Sequence, residues 1–285
     1  MSANHDAVIH ALESKAEKYE TPCGTGKMFW RRWGRGRPVV LLHGGSGSWR
    51  HWIRTIPALA PHYQLWVPDL PGFGDSALPP EPVTLETYAA IIEQGLAVVP
   101  GNFDSCDVVG FSLGAGVSVQ LARCVNERMS ARVRNLVLAG VNFVPGPQPR
   151  LPRLISAHRI KDVEERALAF RHNLEIMMIA CKHNSDGLAL YLYIVDSMKR
   201  RLPALNFSGS EVMHATLPEV RLQGRLTVIS GGDDQVVGHD AVAQAEALRA
   251  ICPDAAYHSV PGAGHWVMYE GWEQYNAELL RALSE

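Results

Sequence analysis

An α/β architecture, with a mostly parallel central sheet, helices on both faces and an inserted helical cap, is the fold class that three features of the 285-residue sequence predict. Apolar runs of strand length alternate with segments of helical periodicity, a rhythm that demands a parallel sheet covered on both sides. A Gly-Phe-Ser-Leu-Gly turn at 110–114 joins one apolar run directly to a small-residue helix start. Between 145 and 218 the alternation stops and the sequence turns helical, so 1–144 and 219–285 are expected to form the core and 145–218 a lid.

Residues 1–20 suggest a short amphipathic helix with Val8, Ile9, Leu12 and Ala16 on one face. Residues 27–33 alternate as a strand, and 34–37 turn the chain back into 38–42, a buried strand by its unbroken apolar run. The basic cluster Arg31, Arg32, Arg35 and Arg37 reads as a solvated hairpin. The buried strand runs into His43-Gly44-Gly45-Ser46-Gly47-Ser48-Trp49, where glycines let backbone N–H groups approach a ligand. Neither phosphate-binding glycine spacing is met, and His43 is expected to hold the loop by hydrogen bonds rather than act as a base.

Residues 51–59 read as a helix, 64–67 as a strand and 68–76 as an ordered loop. Helical spacing of Leu85, Tyr88, Ala89, Ile92, Leu96 and Val99 predicts a helix over 85–98. The strand before the 110–114 turn follows, then its helix, then a further buried strand at 133–139. The rhythm breaks at Val144-Pro145-Gly146-Pro147-Gln148-Pro149. In the expected lid, Met177, Met178, Ile179, Tyr191, Tyr193 and Met198 are read mainly as lid core, with some facing a cavity. Lys199, Arg200 and Arg201 read as a solvated helix end. Strands at 226–230 and 256–260, a helix near 241–250 and a last amphipathic helix complete the chain.

Composition narrows the partners. A formal charge of −2 offers no broad attraction to nucleic acid or anionic lipid, so a small molecule is the expected partner, with no nucleic acid and no membrane. No run approaches the roughly 20 apolar residues of a membrane span, and the polar N-terminus lacks a signal-peptide pattern, which together predict a cytoplasmic protein. The five cysteines, Cys23, Cys106, Cys124, Cys181 and Cys252, are scattered without C-x-x-C pairs, as reduced thiols are. Association into a homo-oligomer is left open.

A serine on a sharp strand-to-helix turn needs tiny flanking residues, supplied by Gly110 and Gly114, and sits where a helix N-terminus can stabilise negative charge. Its hydroxyl is a poor nucleophile unless an imidazole takes the proton and a carboxylate fixes that imidazole's tautomer. Ser112, Asp234 and His265 each follow a predicted strand and so share one sheet edge. Asp234 is preferred to Asp233 because, three residues after Gly231, it can point back over that edge. Leu113 and Gly45 N–H groups are the expected oxyanion donors. Gly44, Ser46, His51, Phe111 and Trp266 are the expected substrate contacts.

These segments, with Asp69-Leu70-Pro71-Gly72-Phe73-Gly74-Asp75-Ser76 between them, resemble an α/β-hydrolase-fold protein over nearly the whole chain, down to the order Ser112, Asp234, His265. The resemblance implies Ser112 as nucleophile, His265 as base, Asp234 as orienting acid, and a helical cap. Dehalogenase and epoxide hydrolase relatives carry aspartate where Ser112 stands, so acyl-serine chemistry is implied. The glycine loop and Gly264-His265-Trp266 are also similar to the carbon–carbon bond hydrolases of aromatic-ring degradation, which usually carry asparagines where this chain has Phe111 and His51. The expected activity is therefore carboxylic-ester hydrolysis with no cofactor and no metal. Carbon–carbon hydrolysis of meta-cleavage type is the alternative, with Arg200 or Arg201 holding a second carboxylate, and slow-turnover ligand sensing is a third reading.

Overall fold

The computed structural model describes residues 2–101, 104–128, 132–147, 149–203, 205 and 207–284; Gln148, within the Pro-rich break, lies outside them. Among the described residues eight strands form one sheet in the order β1-β2-β4-β3-β5-β6-β7-β8. β1 (Glu17–Cys23), β2 (Gly26–Trp33) and β4 (Gln64–Pro68) make an antiparallel edge. From β4 through β3 (Pro38–Leu42), β5 (Ser105–Phe111), β6 (Arg132–Ala139), β7 (Leu226–Gly231) and β8 (Ala256–Val260), every neighbouring pair is parallel. β3 and β7 are buried at every position, the condition of a strand covered on both faces.

Strand periodicity divides the interior into two cores. Val40, Leu42, Val108 and Leu138 pack with Tyr88, Ile92 and Leu96 of α3 (Leu85–Val98) and with Val117 and Leu121 of α4 (Leu113–Arg128). Val39, Leu41, Val109 and Val137 face the other way, onto Trp49, Trp52, Ile56 and the Tyr275, Leu279 and Leu283 stripe of the C-terminal helix. α3 occupies the span its spacing predicts because Thr84 and Thr87 close a capping box at its start. Burying both faces of the sheet fixes the register, since a one-residue slip would exchange the two cores.

Four local expectations are corrected. The first helix, α1 (Ser2–Glu13), stops before Ala16, leaves Val8 45% exposed and is followed by β1, an edge strand too polar to announce itself. β2 and β3 form no hairpin, because β4 lies between them. Arg31 is not solvated: it is 4% exposed and pairs with Glu13, Asp69 and Asp75. The span 51–59 is a 3-10 turn (Trp49–Trp52) and a short α2 (Ile56–Leu59), since the Ser48 hydroxyl caps the turn early and Pro57 opens a new helix.

Between β6 and β7 lie α5 (Val163–Met177), α6 (Gly187–Lys199) and α7 (Ser210–Thr216), with no strand among the described residues there. α8 (Ala241–Ile251), α9 (Val267–Glu270) and α10 (Trp272–Ser284) follow. No helix among the described residues is long and apolar enough to cross a membrane.

Candidate active site

β5 ends at Phe111 and α4 begins at Leu113, so Ser112 makes the whole turn between them. Its φ is 50°, a left-handed conformation that among described non-glycine residues only Ser46 shares, and strain of this kind persists only where surroundings impose it. They do so here. The Ser112 N–H donates to the Ala139 carbonyl of β6 at 2.8 Å. A Cβ at Gly110 would overlap the Ser118 hydroxyl, and one at Gly114 would overlap the carbonyl oxygens of Leu42 and His43.

Asp234 follows β7 and His265 follows β8, and the Nδ1 of His265 lies 2.8 Å from Oδ2 of Asp234. Both are buried. The other Asp234 oxygen accepts the N–H groups of Val236 and Val237 at 2.8 and 3.2 Å, so the carboxylate is held at both ends. Asp233 is exposed and takes no part in this pairing. With Nδ1 committed, Nε2 is the nitrogen available to a cavity of about 210 Å³ that His265 and Ser112 both line. Among the described residues no hydrogen bond joins the Ser112 hydroxyl to His265; such bonds often tighten only around substrate.

Gly45 and Leu113 line the same cavity. An added Cβ on Gly45 would lie 3.9 Å from that of Leu113, so the two backbones approach across it. Neither N–H donates to a protein group among the described residues, and two free amides beside a serine hydroxyl can take an oxyanion.

Of the other expected contacts, Ser46 and Phe111 line the cavity, whereas Gly44, His51 and Trp266 do not. His51 accepts the Gly44 N–H on Nδ1 at 3.2 Å, lies against Phe111 and Trp266, and receives the Trp266 indole N–H on its carbonyl. These three residues form the wall behind the cavity. Burial, reinforced by the neighbouring His43 and His265, pushes the His51 imidazole well below its ordinary range. His43 holds the loop: Nδ1–H donates to the Gly44 carbonyl and Nε2 accepts the Leu70 N–H, each at 2.8 Å. Its burial depresses its pKa to about 4.

Arg200 is the lining residue read otherwise from the sequence. Its guanidinium enters the cavity wall beside Met177 and Met178 and donates to the Ser46 hydroxyl at 3.1 Å, while Lys199 pairs with Asp75 at 2.7 Å. Three consecutive basic residues carry no local signal of this, because the partners lie in loops more than 120 residues earlier.

The model of the alpha/beta hydrolase family matches residues 39–278. Over 204 residues, 70% of this chain and 75% of the relative, it is 29% identical to a pimeloyl-[acyl-carrier protein] methyl ester esterase of Aeromonas hydrophila. It is 26% identical to a 2-hydroxy-6-oxo-6-(2'-aminophenyl)hexa-2,4-dienoic acid hydrolase of Metapseudomonas resinovorans, covering 88% of this chain and 85% of that one. An esterase from Rhodococcus sp. ECU1013 superposes with a TM-score of 0.72 at 20% identity, over 95% of this chain and 99% of that one. A meta-cleavage product hydrolase from Pseudomonas fluorescens IP01 superposes at 0.68 and 21%, over 93% and 97%.

Proposed function

This chain belongs to the alpha/beta hydrolase family, and from that premise we propose that it is a serine hydrolase cleaving a carboxylic ester of a small, largely apolar substrate through an acyl-enzyme. The observation that carries the reading is the strained Ser112 in one cavity with the Asp234-bound His265. His265 Nε2 takes the hydroxyl proton as Ser112 Oγ attacks the carbonyl carbon; the N–H groups of Gly45 and Leu113 hold the oxyanion. Collapse expels the alcohol with the proton from His265. Water, activated by the same imidazole, then releases the acid, and no cofactor enters. Residues 145–218 serve as the cap and 1–144 with 219–285 as the core, the cap supplying the apolar wall of Met177 and Met178 and the cation of Arg200.

Short aryl esters and a fluorophosphonate probe test this. Wild type should turn over and label, and Ser112→Ala should do neither. An inert, unlabelled wild type defeats the proposal. The Arg200 guanidinium in the wall favours one second reading, carbon–carbon cleavage of a dienone acid whose carboxylate it would hold. Faster turnover of such a substrate than of any ester would decide for it.

A further inference from the structure

One end of α6 grips the loop carrying Gly45 at two points. Asp196 and Arg200 stand four residues apart, one helical turn, and both reach that loop. The Ser48 hydroxyl lies 2.9 Å from both carboxylate oxygens of Asp196. Arg50 pairs with the same carboxylate at 2.6 Å and donates to the Ser48 hydroxyl from its guanidinium and its backbone N–H, both at 3.2 Å. Arg200 donates to the Ser46 hydroxyl, on the residue whose φ is 56°. Between the two grips Gly47 presses on the His51 ring so closely that a Cβ would overlap it. Asp196 is 1% exposed and Arg50 9%. An ion pair so far from water is costly, and apolar packing of the same volume would hold a helix as well.

We propose that Asp196 is a positioning residue for the reaction: through Ser48 and Arg50 it sets the 45–49 loop so that the Gly45 N–H meets the developing oxyanion only while α6 is docked. The proposal rests on the serine-hydrolase reading. It makes the oxyanion site a product of docking the inserted helices, so that a closed lid and a competent loop form together. The groups facing Asp196 are Arg50 from the 3-10 turn and Asp69 after β4, itself paired with Arg31 of β2; Lys199 and Arg200 are the charges at its own helix end. Burial, opposed by Arg50, raises the carboxyl to about 6. Acidification through that value removes the charge that holds Arg50 and loosens the loop.

The test is Asp196→Asn, which retains an acceptor for Ser48 and removes the charge, with Ser48→Ala as a second variant. kcat and KM on an aryl ester are followed from pH 5 to 8, with fluorophosphonate labelling of Ser112 and thermal melts. kcat should fall about 10-fold or more, short of the roughly 100-fold or greater loss of an oxyanion donor outright, and KM should stay within about twofold. Below pH 6 log kcat should fall more steeply with pH in wild type than in Asp196→Asn, because only wild type loses the Asp196 charge there. A folded Asp196→Asn with unchanged kcat and slope overturns the proposal. If that variant does not fold, unchanged kcat in Ser48→Ala overturns it instead. A wild type that neither turns over nor labels defeats the hydrolase reading beneath it, whereas an active wild type with indifferent variants defeats this proposal alone.

Discussion

At the scale of single residues, the proposed hydrolysis depends on which nitrogen of His265 carries a proton. Asp234 accepts from Nδ1–H with one oxygen and from the Val236 and Val237 N–H groups with the other. In Asp234→Asn the amide oxygen would keep the two backbone donors, turning the NH₂ toward His265. Nδ1 must then accept, the ring proton moves to Nε2, and the nitrogen facing the cavity can no longer take a proton from Ser112. kcat on an aryl ester should fall by about 10³–10⁴, while the urea midpoint stays near that of wild type because every backbone donor keeps its partner. A variant retaining a tenth of the activity would mean that Asp234 does not set the tautomer.

At the scale of elements, the sharp elbow that Ser112 makes between β5 and α4 is held by close approach, and two glycine sites beside it differ sharply. A Cβ at Gly114 meets the carbonyl oxygens of Leu42 and His43 at the end of β3, backbone that cannot swing aside as a side chain can. A Cβ at Gly45 has its nearest neighbour 3.9 Å away, ordinary contact. Gly114→Ala should therefore lose about 1–3 kcal/mol or fail to fold, and Gly45→Ala should stay within about 0.5 kcal/mol of wild type. Urea titrations of the pair check this, and equal losses would show that the elbow is not tightly packed against β3. The same contrast explains what a sequence can announce about this element. Gly110, Ser112 and Gly114 mark it because the steric demand falls within five residues. The clasp of α6 on the glycine loop has no such mark, since Asp196 meets Ser48 across 148 positions.

At the scale of the molecule, the parallel half of the sheet was legible from apolar runs of strand length, and the pairing of His265 with Asp234 from their places after β7 and β8. The antiparallel edge was not, because β1 turns only Thr21 and Cys23 fully inward and otherwise reads as polar coil. Nor was the burial of charge, since Arg31 of β2 and Asp69 of the loop after β4 bury each other's charge, with the more exposed Asp75 and Lys199 joining them, from three separate segments. Those buried groups set how stability responds to acid. His43 has its pKa depressed from 6.5 to about 4 by burial, so below pH 6.5 the unfolded chain takes a proton that the fold refuses, a loss reaching about 3 kcal/mol by pH 4. His51, also pushed down by its burial, adds in the same direction. Asp196 opposes them: its carboxyl, raised to about 6, binds a proton in the fold before it does in the unfolded chain, so it contributes stability that grows as pH falls from 6 toward 3.8. Asp75 acts last; burial raises its pKa, but Lys199 and Arg31 outweigh that and hold it at about 2, so its contribution disappears between 3.8 and 2. The urea midpoint of wild type should thus decline from pH 6.5 to 4 and again below 4. Asp196→Asn, lacking the opposing group, should decline more steeply in the upper window and in parallel with wild type in the lower. Equal slopes above pH 4 would mean that the Asp196 carboxylate is already paired well enough with Arg50 to stay charged, and that its burial carries no proton-linked cost.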